Sequence, residues 1–191
     1  RWSEQLAVRY SHKLIADNAA IAEYLKKAYG VDCHVIAYGG DHAVAVTEQQ
    51  VNEYNLPPTY AFSVCRIEPE NNVHIILNAF AKQNLFALVI VGNWNNSQYG
   101  RDLRTQYADA KNLYLLDPIY DLGKLKTLRS CTTFYVHGHS AGGTNPSLVE
   151  AMHFGKAVLA FDCEFNRATT ESKALFFKDT EQLIKLISSY D

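Results

Sequence analysis

Six short apolar runs constrain this chain more than any other feature. They are "YAFSV", "FALVIVG", "NLYLL", "TTFYV", "AVLAF" and "ALFF", spread from residue 60 to residue 177. An unbroken apolar strand offers no polar face to water, so both of its faces must be covered. Between most of these runs lie segments of helical spacing: residues 71–82, with Val73, Ile76, Leu77 and Phe80 on one face, then 97–110, 122–130 and 146–154, with 180–189 closing the chain. Buried strands alternating with amphipathic helices form a parallel sheet covered on both sides, and right-handed crossovers bring every strand's carboxyl end to one edge. The expected fold class is therefore α/β, a Rossmann-like parallel sheet with helices on both faces. Ligands bind such sheets at the carboxyl edge, so the informative loops are 65–72, 92–98, 116–122, 137–145 and 162–170.

Upstream, the order is helix 4–13, a strand in "LIADN", helix 19–29 stopped by Gly30, a strand in "CHVIAY" and a short helix around 47–54 closed by Pro57-Pro58. Residues 1–40 read as the tail of a separate unit that feeds a main domain at 41–191. The chain starts at Arg1 inside a helical pattern, which suggests a piece excised from a longer protein.

Composition narrows the function. A formal net charge of −2 over 191 residues argues against general nucleic-acid affinity, which needs a basic surface. Cys33, Cys65, Cys131 and Cys163 are too scattered for a metal knuckle, and three lie in or beside apolar runs, so buried thiols in a reducing cytoplasm are expected. No run reaches the ~18 apolar residues of a membrane span.

The stretch "FYVHGHSAGGTNPSLVEAM", residues 134–152, supports two chemistries. Gly138-His139-Ser140-Ala141-Gly142 fits the G-x-S-x-G elbow of serine hydrolases. That elbow needs a helix starting almost at once, followed by an acid and then a histidine. Here Asn145 and Pro146 suit the N-cap and first turn of a helix, about five residues after Ser140. The one downstream histidine, His153, follows Glu150 on that same helix. The alternative is an anion-holding loop. Gly142 and Gly143 let backbone approach a ligand closely. Thr144 and Asn145 add donors, and the helix start carries unpaired N–H groups. Glu150, one turn on, could accept from ribose hydroxyls. Arg66, directly after "YAFSV", stands at a strand's carboxyl end with a fork of donors suited to phosphate oxygens, unless Glu68 or Glu70 consumes it. His137 and His139 open the loop and could donate to ligand oxygens or, with a third ligand, hold a metal. His12, His34, His74 and His153 read as structural, and the role of His42 is open.

Taken together, "SVCRIEPENN", "ALVIVGN" and "GGTNPSLVEAM..GKAVLAFD" resemble the donor-binding half of a retaining GT-B glycosyltransferase of family 4, and are similar to bacterial polysaccharide or rhamnosyltransferase-like members. The resemblance covers roughly residues 30–191. It implies that Arg66 contacts the donor diphosphate and that Glu150 holds the ribose. It also implies that Gly142, Gly143, Thr144 and Asn145 supply loop contacts to phosphate and sugar, and that Gly92 lies beside the nucleoside. Two positions depart from the family pattern. Asn71 stands where a lysine is usual, and Gly142 where a glutamate is usual. Sugar recognition would then pass to Thr144, Asn145 or His139, and Tyr120 could stack on the base.

The implied activity is transfer of a hexose from a UDP- or dTDP-sugar to a saccharide or lipid-linked acceptor in surface polysaccharide synthesis, with no cofactor and no metal. The implied partners are the nucleotide-sugar donor and an N-terminal acceptor domain of the same chain, without nucleic acid. The implied place is the cytoplasm, with peripheral association of the full-length protein at the inner face of the membrane. A non-catalytic nucleotide-sugar binding module is the alternative reading, with a serine hydrolase after it.

Overall fold

A computed structural model of the protein describes residues 2–190. Its centre is a six-stranded parallel sheet with strand order β5-β4-β3-β6-β7-β8. The strands are β3 (Tyr60–Val64), β4 (Ala87–Val91), β5 (Leu113–Leu116), β6 (Phe134–His137), β7 (Ala157–Phe161) and β8 (Leu175–Phe177). Each of the six apolar runs became one strand. Side chains alternate between two cores, as period-2 geometry requires. Ala61, Leu88, Ile90, Phe134 and Val136 face one core, completed by α4 (Val73–Lys82), α5 (Gln98–Gln106) and α9 (Thr180–Ser188). Tyr60, Phe62, Val89, Val91 and Tyr135 face the other, completed by α6 (Leu122–Ser130) and α7 (Pro146–Met152).

The connection from β5 returns across the sheet to put β6 beside β3. Strand order reverses there, so the loops leaving β3 and β6 diverge and open a crevice at the carboxyl edge. Capping fixes where the helices start. Asp121 accepts from the Lys124 amide at 3.0 Å to start α6, and Asn145 accepts from the Ser147 amide at 3.0 Å to start α7.

Before residue 40 lies a small unit, a two-stranded sheet separate from the six-stranded one. After α1 (Trp2–Tyr10), a two-residue strand β1 (Ile15–Ala16) pairs in parallel with β2 (His34–Val35), with α2 (Ala19–Tyr29) between them. Asn18 caps α2, and Gly30 ends it at φ +69°, a conformation that suits glycine. Trp2, Tyr10, Ile15, Ile36 and Tyr38 are exposed.

Three local expectations are corrected. The short helix lies not at 47–54 but at α3 (His42–Ala45), where Lys126 Nζ binds the carbonyls of Val44 and Val46 at 2.9 and 2.8 Å, and a single 3-10 turn occupies Asn52–Tyr54. The segment 162–170 is not a loop but contains α8 (Glu164–Thr169). The cysteines are free thiols rather than deeply buried ones: Cys131 is exposed and the others are half-buried. Burial of its sulfur still pushes the Cys65 thiol up to about 12, so it is a poor nucleophile near neutral pH.

Candidate functional site

The crevice between β3 and β6 contains a cavity of about 350 Å³. Arg66, Asn71, His139, Asn145, Pro146 and Ser147 line it. Two segments 80 residues apart in the chain, the exit of β3 and the start of α7, thus share one opening. The Arg66 side chain is 72% exposed and reaches Glu70 only at 3.9 Å, so the carboxylates beside it leave most of its donors available. The loops are sewn together behind it. Asn72 Nδ2 donates to the Gly138 carbonyl at 2.8 Å, and the Ser140 amide donates to the Glu70 carbonyl at 2.8 Å.

Asn71 stands where the resemblance implies a lysine. It is buried, and its Nδ2 donates to the Arg66 carbonyl at 2.8 Å. A carbonyl only accepts, so that contact fixes the amide's orientation and turns Oδ1 toward His139 Nδ1, 2.9 Å away. The ring proton therefore sits on Nδ1. In the neutral ring, Nε2 is then an acceptor. In that tautomer its remaining nitrogen suits a hydroxyl. Asn166 on α8 holds the His139 carbonyl at 2.8 Å, a support that nothing in the sequence pattern signalled.

Glu150 is not the solvated helix residue its type suggests. Its side chain is 19% exposed and is held from two sides. One oxygen pairs with Arg129, whose side chain is 5% exposed, and the other lies 3.0 Å from His42 Nε2. A buried guanidinium requires a counter-charge, so Glu150 neutralises Arg129 whatever else it binds. Arg129 was not singled out in the sequence, and the role of His42 was left open, because their partner is distant along the chain.

Gly142 and Gly143 adopt φ of +51° and +43°, the left-handed region that favours glycine. Thr144 and Asn145 are more committed than the sequence suggested. The Thr144 amide donates to Asp17 Oδ2 at 3.2 Å, and its hydroxyl accepts from Asn18 Nδ2 at 2.8 Å. The Asn145 side-chain oxygen is spent on the Ser147 amide and hydroxyl. Gly92 lies outside this cavity: a Cβ there would come within 2.6 Å of the Cys65 carbonyl, so its smallness serves close packing of the chain on itself. Tyr120 is 88% exposed on the loop between β5 and α6, with its ring open to solvent rather than packed. Ser140 has no catalytic arrangement: its hydroxyl donates to the Glu70 carbonyl at 3.0 Å. Among the described residues no group of three His, Cys, Asp or Glu side chains is placed to hold a metal ion. No described helix is long and apolar enough to cross a membrane.

Comparison with known proteins agrees with this architecture. Residues 45–190 match the family "Glycosyl transferases group 1", and the chain belongs to that family. Among solved structures it is similar to HepE of Anabaena in complex with UDP-glucose, with TM-score 0.78 and 18% identity, covering 97% of this chain and 55% of that one. It is similar to sucrose-phosphate synthase of Thermosynechococcus elongatus, with TM-score 0.76 and 17% identity, covering 98% and 51%. The C-terminal domain of a glycosyl transferase group 1 family protein, LpcC, of Francisella tularensis aligns with TM-score 0.58 and 16% identity, covering 76% of this chain and 85% of that one. The chain thus spans about half the length of the first two. A search of curated proteins found no match. The Rossmann-like parallel sheet expected from the sequence is the fold found, and these neighbours share it.

Proposed function

We propose that this chain is the donor-binding half of a retaining, metal-independent hexosyltransferase of family 4, acting in surface polysaccharide synthesis. The observation that carries the reading is the shared cavity: the Arg66 guanidinium and the residues opening α7 line the same opening at the strand-order reversal. The HepE structure holds UDP-glucose, and a UDP- or dTDP-sugar is the donor class proposed here.

In the reaction, the bond between sugar C1 and the diphosphate oxygen breaks as the acceptor oxygen bonds to C1. The acceptor's proton passes to the departing phosphate. Negative charge grows on the leaving group, and donors fixed where it grows lower the barrier most. Arg66 would supply that charge from one wall, with His139 and the start of α7 at Asn145, Pro146 and Ser147 on the other. Glu150, pinned by Arg129 and His42, would accept from the ribose. Tyr120 would stack on the base, and His139 Nε2 would accept from a sugar hydroxyl. The acceptor, saccharide or lipid-linked, would come from an N-terminal domain of the full-length protein, at the inner face of the membrane.

The test is Arg66→Ala with calorimetry of UDP and dTDP binding. One preorganised charged donor is worth about 3 kcal/mol, so affinity should fall about a hundredfold. The side chain's exposure predicts an unchanged melting temperature. Unaltered affinity in a folded variant rejects the role of Arg66.

A further inference from the structure

The glycine-rich loop is tied to the part of the chain before residue 40. At its start the amide and hydroxyl of Ser140 donate to the Glu70 carbonyl at 2.8 and 3.0 Å, and at its end Asn145 caps α7. Between these anchors the described residues hydrogen-bond the loop at Thr144 alone. The Thr144 amide donates to Asp17 Oδ2 at 3.2 Å, Asn18 Nδ2 donates to the Thr144 hydroxyl at 2.8 Å, and that hydroxyl donates to the Asp17 carbonyl at 3.4 Å.

These contacts set where the loop sits. His139 and Asn145 line the Arg66 cavity, whereas Thr144 lines a different one, with Asp17 and Asn18. No atom lies within 4 Å of where a Cβ on Gly142 would project, so the loop has open space beside it once Thr144 is released.

The hold is unevenly built. Asn18 is buried and fixed, with its Oδ1 capping α2 at 3.0 Å from the Ile21 amide. Asp17 is poorly satisfied: its Oδ1 is buried without a hydrogen-bond partner among the described residues. A carboxylate oxygen removed from water and left without a donor costs free energy, and that cost weakens the grip on Thr144. The same carboxylate places a negative charge on a backbone N–H of the loop. Phosphate oxygens bind such donors by the same charge-assisted bond, and one N–H serves one anion at a time.

We propose that Asp17 and Asn18 form an autoinhibitory latch that holds the glycine-rich loop off the Arg66 crevice. A nucleoside diphosphate in that crevice draws the loop in only by displacing Asp17 from the Thr144 amide. The inference rests on the donor-site reading above.

Calorimetry on the wild type, Asp17→Ala and Asn18→Ser tests it, with UDP and phosphate-free uridine as probes. Asn18→Ser keeps an oxygen to cap α2, removes the grip on Thr144 and leaves the net charge unchanged. Apparent affinity falls with the fraction of protein able to receive the ligand, and a few weak hydrogen bonds set that fraction at about one tenth. Both variants should therefore bind UDP about tenfold tighter than the wild type and bind uridine equally. Weaker UDP binding by both folded variants makes Asp17 and Asn18 a brace for the loop and overturns the latch. Equal UDP affinity in all three proteins overturns it as well. A gain in Asp17→Ala alone reports a lost charge rather than a freed loop, and a gain shared by uridine reports a wider crevice rather than competition with phosphate; either result rejects the latch. All of these outcomes leave the donor-site reading standing. UDP binding by none of the three proteins sinks that reading, and the latch with it. Should Asp17→Ala fail to fold, Asn18→Ser decides alone.

Discussion

His137 ends the central strand β6 at 2% exposure, where its neighbours are apolar. Burial, reinforced by the neighbouring His139, pushes its pKa from 6.5 down to about 3. The folded protein therefore holds it neutral, while the unfolded chain takes up a proton below 6.5. Stability from this group is complete above 6.5 and declines as pH falls from there toward about 3, because the unfolded state binds more protons. In His137→Leu, the loss of urea stability between pH 7 and 5 should be smaller than in the wild type; equal slopes would show that His137 is protonated in the fold. The sequence placed His137 at the mouth of the loop as a ligand candidate. Its burial was not legible, because it depends on which strands flank β6. Arg66 was easier: a cation at the end of an apolar strand has one edge to point toward. Glu150 was half legible. Its place on α7 followed from Asn145 and Pro146, but its pairing with Arg129 needed β6 and the adjoining helices packed together.

Among the elements, the strands and the longer helices followed from periodicity, and α2 and α6 begin and end where their spacing and caps predicted. The short α8 did not. Its six residues, EFNRAT, have no clear apolar stripe, and its buried member is Asn166, which binds the carbonyls of His139 and Phe161 at 2.8 Å. A helix held by a polar contact to a distant loop leaves no hydrophobic signature. The loop between β6 and α7 depends instead on close approach. A Cβ on Gly138 would lie 2.1 Å from the Asn71 carbonyl oxygen and 2.9 Å from the Ile76 side chain. Gly138→Ala should cost about 2 kcal/mol, a fall in Tm of about 6 °C, and should weaken UDP binding by prising the Arg66 loop from its partner. A variant with wild-type Tm would show that the two loops slide freely.

Over the whole molecule, stability is unevenly distributed. The six-stranded sheet is covered on both faces, while β1 and β2 are two residues each, with Ile15 of β1 and the adjoining Ile36 exposed. Amides buried under many apolar contacts open only with global unfolding, whereas short exposed ladders open locally. Native-state hydrogen exchange should therefore show β3, β4 and β6 protected to the global limit and residues 15–35 exchanging orders of magnitude faster. Uniform protection would mean that the small unit folds as one body with the sheet. The sequence by itself determined the class of fold and the edge on which the strands' carboxyl ends gather, because unbroken apolar strands leave one way to cover both faces and one direction for the crossovers. Only the tertiary structure decided which side chains remain available at that edge. It committed Asn71, Thr144 and Glu150 to partners 5, 127 and 21 positions away and brought Asp17 against the glycine-rich loop. Local pattern sets the secondary elements, but hydrogen-bond and ion-pair partners are chosen by proximity in space, and most of these contacts form only when the sheet closes.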